Sequence, residues 1–395
     1  MNIWILMIFL TGCNAVHKAP LLLSRGGHRV YGKYLIKLKD NSNVDSFVSA
    51  MRGQQRAAFR SGQARITARQ YDVIQGFEAS LSPSVLDTVR SLPEVDYVQE
   101  LNKAVLGGTT PMWNLDRIDQ DQLPLNNQYN VPGTGQGVNV YVIDTGINPT
   151  HYDFGDRASV MFDAYGDDGL DCNGHGTHVA GTIGGTVFGV AKRVNLFSLK
   201  VMPSCIGEGD ETKIVSDSVT RKSSRRRAFD YLVTRLQSPA VVSMSIYVPG
   251  GSAYFDDVVK NFIAKTNATV VVCAGNENVD ACSDSPGRVP QVLNVGAVDG
   301  ADTRASFSNY GSCTDVYAPG VDILSASPSG EYIVESSSGT SMACPHVAGA
   351  VALLLESSPN LSPTETHEMI LEQATTGVVN NPKGANLLLR VNRLK

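Results

Sequence analysis

Gly339-Thr340-Ser341-Met342-Ala343-Cys344-Pro345-His346-Val347-Ala348-Gly349 is the stretch from which the rest of the chain can be read. A turn of small residues delivers one serine, and an apolar run from Val347 to Leu355 follows at helical spacing. A serine at a helix N-terminus sits among free backbone N–H groups, where the helix dipole favours a developing negative charge. A hydroxyl nucleophile needs such a place, together with a base and an oxyanion pocket. The plain alternative is a Ser/Thr pair capping a core helix. The remainder of the chain decides between the two.

A chain of 395 residues can hold two or three average domains, or one large α/β domain with a small companion. Its net charge of −5 is divided unevenly. Residues 1–106 carry 13 Lys/Arg against 8 Asp/Glu, whereas residues 107–395 carry 20 against 30. A basic segment ahead of an acidic one suits two domains that dock. Ile3 to Leu10 is apolar, too short to span a bilayer, and followed by Thr11-Gly12-Cys13-Asn14-Ala15. This fits a signal peptide over residues 1–15, with Leu10-Thr11-Gly12-Cys13 also similar to a bacterial lipoprotein site. The expected product is secreted, with no membrane or nucleic-acid partner, and is a monomer. Six cysteines lie beyond Cys13. Cys172, Cys205, Cys282 and Cys313 fall in loop-like stretches where extracellular disulfides are expected, and sequence alone leaves three pairings open. Cys273 reads as a buried strand thiol, and Cys344 lies on the serine helix.

Along the N-terminal segment, Tyr31–Asp40 reads as a strand, Val44–Met51 as a helix and Tyr71–Leu81 as a strand. Ser84–Ser91 follows as a helix and Val95–Gln99 as a last strand, making a small α+β domain over residues 16–106. Arg52–Arg69, polar and with five arginines, reads as loop. Gly107-Gly108-Thr109-Thr110-Pro111 is a linker by composition. Beyond it, Val138–Ile143, Val194–Val201, Val241–Ile246, Thr269–Ala274 and Val292–Val298 are apolar runs separated by helical stretches. Such runs suit a parallel sheet buried on both faces, with sites beyond the C-terminal strand ends. Thr220–Ala228 (TRKSSRRRA) is an anomaly, because five like charges interrupt the helix expected between Ile214 and Leu232. It reads as a solvated insertion, or as a processing or anion-binding loop.

Three motifs fall where strands end or helices begin. Val142-Ile143-Asp144-Thr145-Gly146 puts a carboxylate just past a buried strand. Asn173-Gly174-His175-Gly176-Thr177-His178-Val179-Ala180-Gly181 puts a histidine at the start of a Gly-flanked helix, and Ser341 lies in its own turn. A metal reading of His175 with His178 needs a third ligand that nothing supplies. The order Asp, His, Ser, with gaps of 31 and 166 residues, is that known from subtilisin, so it is matched here to a known case. With these motifs, residues from about 111 to 390 resemble the subtilase family, in its proteinase K-like branch. The basic N-terminal segment resembles that family's propeptide, an inhibitor and intramolecular chaperone.

The resemblance implies a subtilisin-like α/β domain over residues 107–395, doubly wound with a mostly parallel sheet and helices on both faces. A ferredoxin-like α+β propeptide precedes it. The implied activity is a self-processing serine endopeptidase acting on polypeptides, with Asp144, His175 and Ser341 as the triad and Asn276 as oxyanion donor. Gly207, Glu208, Gly209, Ser245, Ile246, Ala274 and Gly275 are implied to bind substrate. Where relatives read Ser-Leu-Gly-Gly, this chain has Ser245-Ile246-Tyr247-Val248, followed by a short insertion. A tyrosine thus stands where a glycine would let substrate approach. The resemblance further implies disulfides Cys172–Cys205 and Cys282–Cys313, and structural calcium at Pro290, Val292 and Asp315, with no catalytic metal. Propeptide cleavage is expected near Leu106-Gly107. The alternative is a catalytically silent binding protein of the same fold that retains its propeptide.

Overall fold

The computed structural model describes residues 18–22, 29–39, 42–68, 75–102, 112–166, 168–202 and 218–394. The chain divides into two compact units, 1–108 and 109–395. Residues 1–15, the junction at 106–107, residues 207–209 and Cys205 lie outside the described residues.

The first unit holds strands β1 (Leu21–Leu22), β2 (Arg29–Leu38), β3 (Ala64–Ala68), β4 (Gly76–Leu81) and β5 (Val95–Asn102). Helix Val44–Gln54 is capped by Asn43, whose side chain accepts from the Ser46 N–H. Its buried residues Val44, Phe47, Val48 and Met51 recur at helical spacing and meet the sheet's apolar face. Sheet order β1-β5-β2-β4-β3 is antiparallel from β5 onward, and with helix Pro83–Arg90 it gives the ferredoxin-like β-α-β-β-α-β arrangement. The loop expected over Arg52–Arg69 is corrected. A helix Arg56–Arg60 and strand β3 occupy it, because Ala58 and Ala64 face the core while Arg52, Arg56, Arg60 and Arg65 are exposed.

The second unit is built on a nine-stranded sheet. Its strands are β6 (Asn139–Asp144), β7 (Ala158–Asp163), β8 (Asn195–Lys200), β9 (Ala240–Met244), β10 (Thr269–Cys273), β11 (Leu293–Val298), β12 (Val316–Pro319), β15 (Thr375–Thr376) and β16 (Leu387–Leu388). A hairpin of β13 (Ile323–Ala326) and β14 (Val334–Ser337) stands apart. The order β15-β16-β12-β11-β10-β9-β6-β8-β7 is parallel except at β15–β16. Alternate residues of each central strand enter different cores. Val140, Val142, Val241 and Val271 pack with helices His175–Gly184 and Thr340–Ser357 on one face. Tyr141, Ile143, Val242, Val270 and Val272 pack with helices Ser218–Val233 and Ala253–Thr266 on the other. This double burial explains why the strands read as continuous apolar runs.

The chain reverses its direction of growth between β6 and β9, since β7 and β8 lie on one side and β10 to β12 on the other. Asp144 ends β6 and Ser245 follows β9, so both stand at the topological switch point where doubly wound sheets place their sites. The basic run at residues 220–228 is part of helix Ser218–Val233, which corrects the expected processing or anion-binding loop. Arg227 donates to Ala164 O at 2.8 Å, the Arg225 guanidinium lies 5.3 Å from the Phe255 ring, and Arg226 pairs with Asp230. Long guanidinium stems cover apolar surface while their heads find partners, so this charge density does not break the helix.

Candidate active site

Ser341 is the second residue of a helix that begins at Thr340, with Gly339 as its N-cap. The helix packs closely on helix His175–Gly184 and the loop after it because position 349 is glycine; a Cβ there would meet Ile183 O at 3.2 Å and Val190 Cβ at 2.6 Å. Pro345 lies inside the helix and has no N–H to give the carbonyl four residues back, that of Ser341. That carbonyl accepts from Ser245 Oγ at 2.8 Å, and Ser341 Oγ in turn donates to Ser245 O at 3.3 Å. The proline therefore frees an acceptor through which β9 is tied to the serine turn.

Asp144 is fully buried, and its Oδ1 accepts from the Thr145 N–H at 2.7 Å and from His175 Nδ1 at 2.7 Å. A carboxylate only accepts, so the imidazole carries its proton on Nδ1. His175 begins its helix, and Gly176 beside it has no room for a side chain, since a Cβ would lie 2.1 Å from Gly146 O. His178 is turned away, with Nε2 against Ile323 O at 2.9 Å, so it does not join His175 as a metal ligand. Burial pushes the Cys344 thiol up to about 12, and burial together with the neighbouring Cys344 pushes Cys273 well above its ordinary range. Both cysteines are free and buried, as expected.

Asn276 follows β10. Its Oδ1 accepts from Thr340 N and from Thr340 Oγ1, both at 2.9 Å, which turns the NH₂ end outward as a donor. Thr340 was not singled out in the sequence, although the Gly-Thr-Ser turn contains it; it also accepts from Gly275 N at 3.1 Å. Asp171 was missed as well. This buried carboxylate accepts from Thr145 Oγ1, Asn173 N, Gly174 N, Thr177 N and Thr177 Oγ1, joining the loop after Asp144 to the start of the His175 helix. Its only signal in the sequence is its place four residues before His175.

Of the expected substrate residues, Ser245 touches Ser341, and Ile246 is buried against the second core. Ala274 and Gly275 use their polar backbone internally, the first with Val295 O and Asn309 Nδ2, the second with Thr340 Oγ1 and Asn309 N. Cys282 and Cys313 form a disulfide. Cys172 is disulfide-bonded, and its expected partner Cys205 lies outside the described residues. At the expected calcium position Val292 is buried and Pro290 exposed. Asp315 Oδ2 accepts from the Asn294 N–H at 2.8 Å, and Oδ1 faces His367 at 3.8 Å. Among the described residues no group of three His, Cys, Asp or Glu could hold a metal, and no helix is long and apolar enough to cross a membrane.

Comparison with known proteins agrees with this geometry. Residues 135–388 match the subtilase family and residues 33–103 match peptidase inhibitor I9. The chain belongs to the subtilase family and is a subtilisin-like serine protease with an I9 propeptide. It is 37% identical over 417 residues to an extracellular serine proteinase of Thermus sp. (strain Rt41A), covering 98% of each chain. It is 42% identical over 322 residues to alkaline serine exoprotease A of Vibrio alginolyticus, covering 79% of this chain and 57% of that relative's length. A crystal structure of a cold adapted subtilisin-like serine proteinase is similar at 41% identity and a TM-score of 0.65, covering 71% of this chain and 98% of that one.

Proposed function

We propose that this chain is the zymogen of an extracellular endopeptidase in which Ser341 attacks the peptide carbonyl, His175 moves the proton and Asp144 holds the imidazole. The carrying observation is the 2.7 Å contact between His175 Nδ1 and Asp144 Oδ1 at the switch point of the sheet. With Nδ1–H committed to the carboxylate, Nε2 is the nitrogen that takes the Ser341 proton, and the buried Asp144 charge stabilises the imidazolium that forms. As Oγ bonds to the carbonyl carbon, the oxygen's new charge meets the Asn276 NH₂ and the Ser341 N–H, which the helix leaves unpaired. His175 then returns the proton to the leaving amine as the C–N bond breaks. A water repeats the sequence in reverse and frees the acid.

The I9 segment fits the role of intramolecular inhibitor and chaperone, and the chain's own junction near Leu106-Gly107 is its first substrate. The donor chemistry at Pro290, Val292 and Asp315, two carbonyls and a carboxylate braced by Asn294, fits a structural calcium ion. The test is the intact mass of the purified protein beside its Ser341→Ala variant. Loss of roughly residues 16–106 from the wild type alone is expected. Self-cleavage of the variant, or two full-length masses, would overturn the reading.

A further inference from the structure

The acyl side of the cleft carries this chain's clearest departure from the Gly-Gly pattern, at Tyr247. β9 and β10 are parallel neighbours, so the segments that continue them past the sheet, Ser245–Val248 and Ala274–Glu277, leave it side by side. Ser341 is bonded to the first segment through Ser245, and Thr340 to the second through Asn276. An acyl carbon held on Ser341 Oγ, with its oxygen toward the Asn276 NH₂ and its leaving group toward His175, has one direction left. That direction, toward the Ser245 segment, must take the residue whose carbonyl is attacked, and its side chain enters the gap between the two segments.

A phenol ring bridges that gap. The Tyr247 hydroxyl donates to Glu277 Oε1 in a short hydrogen bond, and the ring packs on the core around Cys273. Both ends of the bridge are fixed. Val248 exchanges backbone hydrogen bonds with Ser285 at 2.8 and 3.2 Å, and Gly250 N donates to Asp284 Oδ1 at 2.9 Å. Glu277 Oε2 accepts from Asn276 N at 3.0 Å and from Asn309 Nδ2 at 3.3 Å, and the same Asn309 Nδ2 holds Asp284 Oδ2 at 3.0 Å. The carboxylate that anchors the ring is therefore the side chain next to the oxyanion donor. Burial, and then the bond to Glu277, push the Tyr247 hydroxyl well above its ordinary range, so the phenol stays a donor wherever the enzyme works.

We propose that Tyr247, pinned by Glu277, is a specificity-determining residue that shortens the acyl pocket and favours bonds preceded by small side chains such as alanine over bonds preceded by aromatic ones. The inference rests on the proposed function, because it takes Ser341 as the acylated group. A ring braced at both ends cannot yield cheaply to a second ring, whereas a methyl group needs little of the space it fills.

The experiment compares kcat/KM on two tetrapeptide anilides identical except for alanine or phenylalanine at the scissile position, per active site counted by a fluorophosphonate label. The wild type is expected to favour alanine by at least about 100-fold, a margin of the size pocket shape can supply. Tyr247→Gly is expected to shift the ratio toward phenylalanine by more than about tenfold, and Tyr247→Phe, which keeps the bulk, to leave alanine preferred. If Tyr247→Gly does not fold, Glu277→Ala frees the ring and must move the ratio the same way. Equal rates on the two substrates in the wild type, or a ratio unmoved by removal of the ring, would overturn the proposal. Absence of fluorophosphonate labelling would instead overturn the functional reading beneath it.

Discussion

At the scale of single residues, the site depends on side chains whose partners are set by what a neighbour cannot do. Pro345 cannot donate, so the Ser341 carbonyl turns to Ser245. Thr340 claims the Asn276 carbonyl oxygen twice, so the amide presents its NH₂. In the proposed reaction that orientation matters in the transition state, when the substrate oxygen becomes negative, and far less before it. Asn276→Ala is accordingly expected to lower kcat by about 10²–10³, the usual cost of one such donor, with KM little changed. Steady-state kinetics check this, and a loss confined to KM would remove Asn276 from the oxyanion pocket.

At the scale of elements, the helix Thr340–Ser357 is the piece on which the second unit closes. It is buried along almost its whole length and carries a histidine in the core. His346 donates from Nδ1 to Met342 O and accepts at Nε2 from the Asn114 amide, both at 2.8 Å, and burial lowers it to about 4. Burial likewise lowers His178, on the neighbouring helix, to about 4. Because the folded values lie below the ordinary histidine value of 6.5, only the unfolded chain takes up these protons as pH falls from 6.5 toward 4. Stability present above that window is therefore expected to be lost through it. Melting temperatures across this range test the sign, and His346→Gln should make the decline shallower even though the variant starts lower. A decline of unchanged slope would place the acid sensitivity elsewhere.

At the scale of the whole molecule, a large α/β unit with two cores and a small α+β unit each carry their own sheet. The disulfide Cys282–Cys313 closes a loop of the large unit near Asp315, the residue that braces the backbone of Asn294. A cation held there would bind the folded state alone and raise its stability by mass action. A chelator is thus expected to lower the melting temperature of the wild type, and Asp315→Asn to abolish the effect of added calcium. A chelator response that survives Asp315→Asn would move the cation to another site.

Several features were legible before any coordinate. The central strands β6, β8, β9, β10 and β11 lie within two residues of their apolar runs, because burial on both faces leaves only scattered polar residues to interrupt the pattern. Edge elements were not legible. β7 is only partly buried and mixed in composition, and the arginines between residues 52 and 69 masked a helix and a strand whose fully buried residues are alanines, with Phe59 and Ile66 packed beside them. For the site, the motifs around Asp144, His175 and Ser341 pointed to the groups proposed to react, since each motif is a local device: a strand end, a glycine-flanked helix start, a small-residue turn. Which groups meet was decided by the tertiary structure alone. The bonds that matter join residues 31, 64 and 96 positions apart, from Asp144 to His175, Asn276 to Thr340 and Ser245 to Ser341. Sheet order sets those encounters, and so does the pairing of Tyr247 with Glu277, because spacing along a chain carries no information about which strand ends lie side by side.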